Sequence, residues 1–328
     1  MQWRKILGAS GAALAGAAAF NAMARRGTEP LANPLGGRDG TFEWRGFDIA
    51  WSVRGESRPG GPPPLLLLHG IHAAAWSYEW RRNARALADG RAVYALDLLG
   101  FGRSARPRIR YTARTYLALI SDFARRVVGE PCVLVANSLS GAYAIELASR
   151  DAGRFPGLVL IEPTGLVRLN DTQGSAADAA GVGIGTPVVG TAVFNALVAR
   201  KSLRFFLEEV YADNHLVTEQ LIDVYYDASH QPGAKYAATA FVTGQLNLDV
   251  RDSLRRVTQP ALLVWGEQAV QAPLEEVRGF LALKPDFELA ILDPAGDLPH
   301  DERPAEFNEI VLSWLRKQEA ARVAVGAG

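Results

Sequence analysis

The chain has 328 residues, 48% of them hydrophobic and 21% charged, the balance of an ordinary globular protein. Its 35 basic residues match its 35 acidic ones, so no basic excess points to nucleic acid and no steering field points to a charged ligand. The single cysteine, Cys132, excludes an internal disulfide, and in its apolar run it serves as a small hydrophobe rather than a nucleophile.

At the amino terminus MQWRK precedes the uncharged run ILGASGAALAGAAAFNAMA (6–24), followed by Arg25 and Arg26. A basic start, an apolar run and Ala22-x-Ala24 form the order of a secretory signal. The run is also just long enough to span a bilayer, although Ala and Gly give weak insertion. Gly8, Ala12 and Gly16 would supply a close-packing face if it inserted. A soluble helix or an unstructured tail is the plainer alternative. The segment is read as a signal or membrane anchor, which makes the protein membrane-anchored or exported rather than cytoplasmic, with membrane association through 6–24. The Pro/Gly-rich stretch 26–40 reads as a linker, so 1–40 is set apart from the core.

Residues 41–46 and 47–53 alternate apolar and polar, as two antiparallel strands with one exposed face do. Leu65–Leu68 is continuously apolar, the pattern of a strand buried on both faces, and ends in HGIH (69–72). A helix is expected from Trp76 to about Ala88. The next strand, 91–96, ends in DLLGFGRS (97–104). An amphipathic helix follows over 116–128, then a strand at 132–135, a turn at 136–140, a helix from Gly141 and a strand at 157–161 ending at Glu162. This alternation implies a parallel sheet with right-handed crossovers. It stops after Glu162. Residues 165–257 carry small residues (174–190) and helical patterns near 192–211 and 217–228, read as an inserted helical cap. GVGIG (181–185) lacks a preceding strand, so it is no dinucleotide site. The sheet resumes at 260–265, with a helix near 274–283, a strand at 287–292 and a last helix from Pro304 to about Ala321. The expected fold is therefore α/β: a mostly parallel eight-stranded sheet, helices on both faces, core 41–164 and 258–321, cap 165–257.

Within PCVLVANSLSGAYAIELASR (131–150) a strand feeds a helix through a turn with small residues on both sides of Ser138, the nucleophile-elbow pattern. The usual form is G-x-S-x-G; here Ala136 and Ser140 are the flanks. The alternative is a serine that merely caps a helix.

Four segments together resemble the α/β-hydrolase fold superfamily, in its branch with a helical cap. They are His69-Gly70 with Trp76, the Asp97-x-x-Gly100-x-Gly102-x-Ser104 loop, the Ser138 elbow, and Trp265-Gly266-Glu267 followed by the loop from Asp293 to Pro304. They stand in the family's order over roughly 41–318. The resemblance implies Ser138 as nucleophile and the Ile71 and Leu139 amides as oxyanion hole. It also exposes two departures. Where the family has a catalytic histidine this chain has Asp297, a carboxylate and so a weak base at neutral pH. Where the family usually has an acid after the seventh strand this chain has Ala269.

His300 is the first candidate base, with a structural role near a helix start as its alternative. Glu162, after the sixth strand, is the preferred acid; Glu267 is second. His72 and Asn137 are candidate pocket groups, and His230 is a cap histidine that would face the nucleophile. His69 reads as a loop-holding residue. The histidines show no paired spacing for a metal, and no cofactor is implied. The expected activity is hydrolysis of an ester-like or other small apolar acyl compound with a non-standard base. The alternatives are a binding or scaffold protein that has lost its triad, and a lyase-type proton-transfer enzyme using Asp297 or His72.

Overall fold

The computed structural model describes residues 14–166, 183–184 and 186–326. Residues 181, 182 and 185 of the GVGIG cluster and most of the small-residue stretch 174–190 lie outside them, as does 6–13 of the amino-terminal run. Eight strands form one sheet in the order β1-β2-β4-β3-β5-β6-β7-β8. They are β1 (Arg38–Trp44), β2 (Phe47–Arg54), β3 (Leu65–Leu68), β4 (Val93–Leu96), β5 (Val133–Asn137), β6 (Leu158–Ile161), β7 (Ala261–Gly266) and β8 (Glu288–Leu292). Only β2 runs against its neighbours; from β4 to β8 every pairing is parallel.

The unbroken apolar runs have a physical cause. In β3, Leu66 and Leu68 enter one core layer while Leu65 and Leu67 enter the other, and β5, β6 and β7 split in the same alternating way. Helices α3 (Ala113–Phe123) and α4 (Leu139–Arg150) cover the first face. The second face is covered by α2 (Ala84–Leu87) and, through Phe307, Val311 and Trp314, by α12 (Pro304–Gly326).

The cap lies between β6 and β7. It comprises α5 (Val189–Leu197), α6 (Arg200–Val210), α7 (Glu219–His230) and α8 (Ala234–Val242), and α9 (Arg251–Arg256) leads back to the sheet. The helix expected over 192–211 is broken because Ala199 is extended, at φ −63° and ψ 154°. The one expected over 76–88 is broken too: the turn 81–83 separates the 3-10 turn Ser77–Trp80 from α2, and there the Asn83 amide group donates to the His300 carbonyl (2.8 Å) and to Asn308 Oδ1 (3.1 Å).

Residues 14–24 form helix α1, which rests on the cap along a narrow stripe. Asn21 donates to the Val188 carbonyl (2.9 Å) and accepts from Asn195 (2.9 Å), and Tyr226 donates to the Ala24 carbonyl (2.8 Å). The stretch after it is not a free linker. Leu35 is buried in the second core layer, and the Asn33 side chain accepts from the Leu35 amide and the Ser52 hydroxyl. Among the described residues no helix is long and apolar enough to cross a membrane.

Candidate active site

The elbow is strained as its pattern requires. Ser138 has φ +54° and ψ −125°, in the left-handed half of backbone space, and the Leu139 amide opens α4 directly after it. The turn is tight: a Cβ on Gly141 would meet Pro163 Cβ at 2.8 Å. Ser140, standing where glycine is usual, has its own task. Its buried hydroxyl donates to the His69 carbonyl (2.6 Å) and ties the elbow to the facing loop.

That loop is fixed by buried polar groups. His69 Nε2 accepts from the Leu98 amide (3.1 Å), so Nδ1 carries the hydrogen and donates to the Gly70 carbonyl (2.6 Å). The Gly70 amide donates to Glu79 Oε2 (2.9 Å). With Gly70 thus engaged, Ile71 is the next amide of the loop, and both Ile71 and Leu139 line the cavity that holds Ser138. Both amides therefore lie in the same cavity lining as the strained serine.

The cavity has a volume of about 440 Å³. Phe206, Val210, Tyr225, Phe241 and Val242 give it an apolar cap side, while Asn137, Glu162, Asp297 and His72 join Ser138 on the polar side. His72 stacks on Tyr225 with ring centres 5.5 Å apart. Burial pushes its imidazole down to about 4, helped by His69 and opposed by Glu79, so it is neutral at ordinary pH. Its Nδ1 accepts from the Ala74 amide (3.3 Å), which leaves Nε2–H as the ring's donor.

Glu162 follows β6 at φ +43°, and its Oε1 accepts from the Gly266 amide (2.9 Å). Burial raises its carboxyl well above the ordinary range. The Asp297 charge raises it further, and the Gly266 hydrogen bond only partly offsets this. Glu162 therefore favours the protonated form. Asp297 accepts from the amides of Val270 (3.1 Å), Gln271 (2.6 Å) and Ala272 (3.1 Å). It thus clasps the loop after β7, the loop that lacks an acid at Ala269.

Three expected site residues lie elsewhere. His300 is fully buried behind the loop of residues 69–72, packed on Trp80 (ring centres 4.8 Å) and Phe307 (5.8 Å), and Nε2 is 3.3 Å from Glu79 Oε1. It is absent from the cavity lining and makes no hydrogen bond to Ser138. The reason is local: Pro299 starts the short helix α11 (Pro299–Glu302), which turns His300 inward. His230 stacks on Tyr226 (3.8 Å) and lines a separate cavity of about 140 Å³. Glu267 is exposed at the end of β7 and paired with Asp293, whose hydrogen bond and charge raise its carboxyl.

The rebuilt loop also fastens the cap. The Asp297 amide donates to the Val210 carbonyl (2.8 Å), and Glu302 accepts from the amides of Gly296 (2.7 Å), Ala212 (2.8 Å) and Asp213 (3.2 Å). Asp301 pairs with Arg81 (2.9 Å) and accepts from the Tyr211 hydroxyl. Glu79, Asp301 and Glu302 had no sequence signal: each is a carboxylate in a polar stretch, and only the fold buries it. Among the described residues no group of three or more His, Cys, Asp or Glu is placed to hold a metal.

The sheet, cap and strained elbow are those of an α/β hydrolase. The Alpha/beta hydrolase family matches residues 65–310, and the chain belongs to that family. It is similar to 2-hydroxy-6-oxo-6-(2'-aminophenyl)hexa-2,4-dienoic acid hydrolase of Metapseudomonas resinovorans, at 27% identity over 80% of this chain and 87% of that one. It is similar also to the uncharacterized hydrolase YugF of Bacillus subtilis, at 25% identity over 78% of this chain and 91% of that one. Among solved structures, a serine hydrolase involved in carbazole degradation (CarC) superposes with TM-score 0.69 at 24% identity, over 85% of this chain and 98% of that one. That likeness is one of fold.

Proposed function

We propose that the chain is a serine-dependent hydrolase of a small, apolar, ester-like acyl compound, with Asp297 in the position of the missing histidine base. The observation that carries this reading is the placement of strained Ser138 in one cavity lining with Asp297 and Glu162. Ser138 Oγ attacks the acyl carbon as its proton passes to the Asp297 carboxylate. The oxyanion is held by the Ile71 and Leu139 amides, with the His72 Nε2–H as a further donor. Collapse expels the alcohol, which takes the proton from Asp297. Water then attacks the acyl-serine by the same route and releases the acid. Burial and the Asp297 charge raise the Glu162 carboxyl, which favours its neutral form and leaves the negative charge on the group that must accept the proton. A carboxylate is a weaker base than imidazole, so turnover is expected on activated esters first.

A second reading, a family member that binds without turnover, is favoured by one observation: the Asp297 carboxylate already accepts from three loop amides. A fluorophosphonate probe separates the two. A stoichiometric label on wild type that disappears in Ser138→Ala supports the hydrolase; an unlabelled, folded wild type favours the binding protein.

A further inference from the structure

Helix α1 has a composition that water does not favour. From Ile6 to Ala24 the sequence carries no charge, and α1 touches the cap only along the stripe Ala17, Asn21 and Ala24. Its other positions are exposed, including Leu14 (49%), Phe20 (36%) and Met23 (63%). The cap helix it rests on, α5, has an apolar stripe of its own at i, i+4 and i+8, where Val189 (51%), Val193 (46%) and Leu197 (60%) are exposed. An uncharged helix on a protein surface needs an apolar environment for its outer face.

The charges around this face say which environment. Arg25 and Arg26 end the helix, and both are exposed. Arg25 also lines the 140 Å³ cavity together with Lys235 and His230. Burial lowers the Lys235 ammonium below its ordinary value, and Arg108 and Arg25 lower it further by repulsion. Among the described residues neither Arg25 nor Lys235 has a carboxylate partner; the Lys235 ammonium donates to the Ile184 and Thr186 carbonyls and the Thr191 hydroxyl. Exposed apolar side chains that end in the exposed Arg25 and Arg26 match the boundary between acyl chains and anionic headgroups. A second copy of the chain would bring the same cations together.

We propose that α1 and the outer stripe of α5 dock on an anionic lipid surface, with Phe20 and Met23 entering the acyl boundary and Arg25 and Arg26 at the level of the phosphates. The cap, and with it the apolar side of the Ser138 cavity, is then held beside the lipid.

Flotation of the full-length chain with phosphatidylcholine vesicles, with and without roughly 30 mol % phosphatidylglycerol, tests this. Wild type is expected to float with the anionic vesicles. The double variant Arg25→Gln/Arg26→Gln should bind them more weakly, by about 5-fold per lost charge. Phe20→Asp/Met23→Asp should abolish flotation; all four positions are exposed, and circular dichroism checks that the variants fold. Equal flotation of wild type and variants overturns the proposal. So does a wild type that ignores vesicles but gains thermal stability from inorganic phosphate, which would make the cluster a free-anion site. A concentration-dependent dimer that Phe20→Asp dissolves, without vesicle binding, also overturns it and gives the face to a second copy.

Discussion

Glu79 and His300 face each other at 3.3 Å in a buried pocket behind the loop of residues 69–72, and the other oxygen of Glu79 holds the Gly70 amide. The histidine nearest in sequence to the missing base thus supports the loop that would bind the oxyanion, and acts on the site through Glu79. Burial raises the Glu79 carboxyl, but His300, His69 and the Gly70 amide outweigh it and hold it below its ordinary value.

This pairing fixes a pH dependence. A depressed folded-state carboxyl stabilises the fold fully above its unfolded value, near 4.5, and loses that contribution as pH falls through the folded value. Urea unfolding of wild type should therefore weaken below about pH 4.5 more than that of Glu79→Gln. At neutral pH, Glu79→Ala should cost about 1–3 kcal/mol, the penalty for leaving the buried Gly70 amide without its acceptor. A loss below about 1 kcal/mol would show that the pair does not hold the loop.

Glu162 has the opposite sign. Its carboxyl is raised by burial and by Asp297, so the stability it confers is present at low pH and is lost as pH rises from the unfolded value through the folded one. Glu162→Gln keeps an oxygen for the Gly266 amide and removes the titration. The variant should gain stability over wild type as pH is raised, and its denaturation midpoint should vary less with pH. Identical profiles for the two proteins would contradict the buried, protonated carboxyl.

Asp297 carries the proposed chemistry, and its removal reads directly on it. Asp297→Asn should lower turnover of p-nitrophenyl esters by about a hundredfold or more. The substitution also weakens the clasp on residues 270–272, so thermal stability is measured alongside. Full activity in a folded Asp297→Asn protein would exclude the carboxylate as base.

His72 should remain neutral through the range in which ordinary histidines titrate, since burial holds it near 4. Its ring carbons, followed by NMR, should show no titration between about pH 5.5 and 8. His72→Phe keeps the stack on Tyr225 but removes both the Nε2 donor and the Nδ1 acceptor of the Ala74 amide, so it should cost about 1–3 kcal/mol of stability and reduce kcat more than it raises KM. A ring that titrates near the ordinary value of 6.5 would refute the burial argument.

The clasp is tested by loosening it. Glu302→Ala removes the acceptor for three amides, two of them in the cap at Ala212 and Asp213. Hydrogen exchange at 210–213 should accelerate by about tenfold or more, while the strands of the sheet keep their protection.

Local pattern carried the fold. The runs at Leu65–Leu68 and Leu158–Ile161 are apolar throughout because both faces of those strands are covered, so the sequence shows a parallel sheet without any tertiary knowledge. The Ser138 turn is legible for a similar reason, since small flanks report a steric limit. The partners of Ser138 are set by where a loop folds back, and this leaves no periodicity to read. His300 stands three residues from Asp297, yet Pro299 and α11 turn it to the opposite side of the loop. Glu79, Glu302 and Asp301 read as solvated charges because nothing in their neighbours announces burial. The break at Asn83 was hidden likewise, because its partners, the His300 carbonyl and Asn308, lie more than two hundred residues away.

Asp297 joins two tasks through one residue. Its carboxylate lines the reaction cavity, and its backbone amide is bonded to Val210, the last residue of the cap helix α6. The cap helix and the proposed base are therefore joined through one residue. On the proposed mechanism, a substrate too bulky for the cap would pull on the group that must accept the serine proton, so such compounds would lose catalysis as well as affinity. Selection by size would then read on kcat as well as on KM.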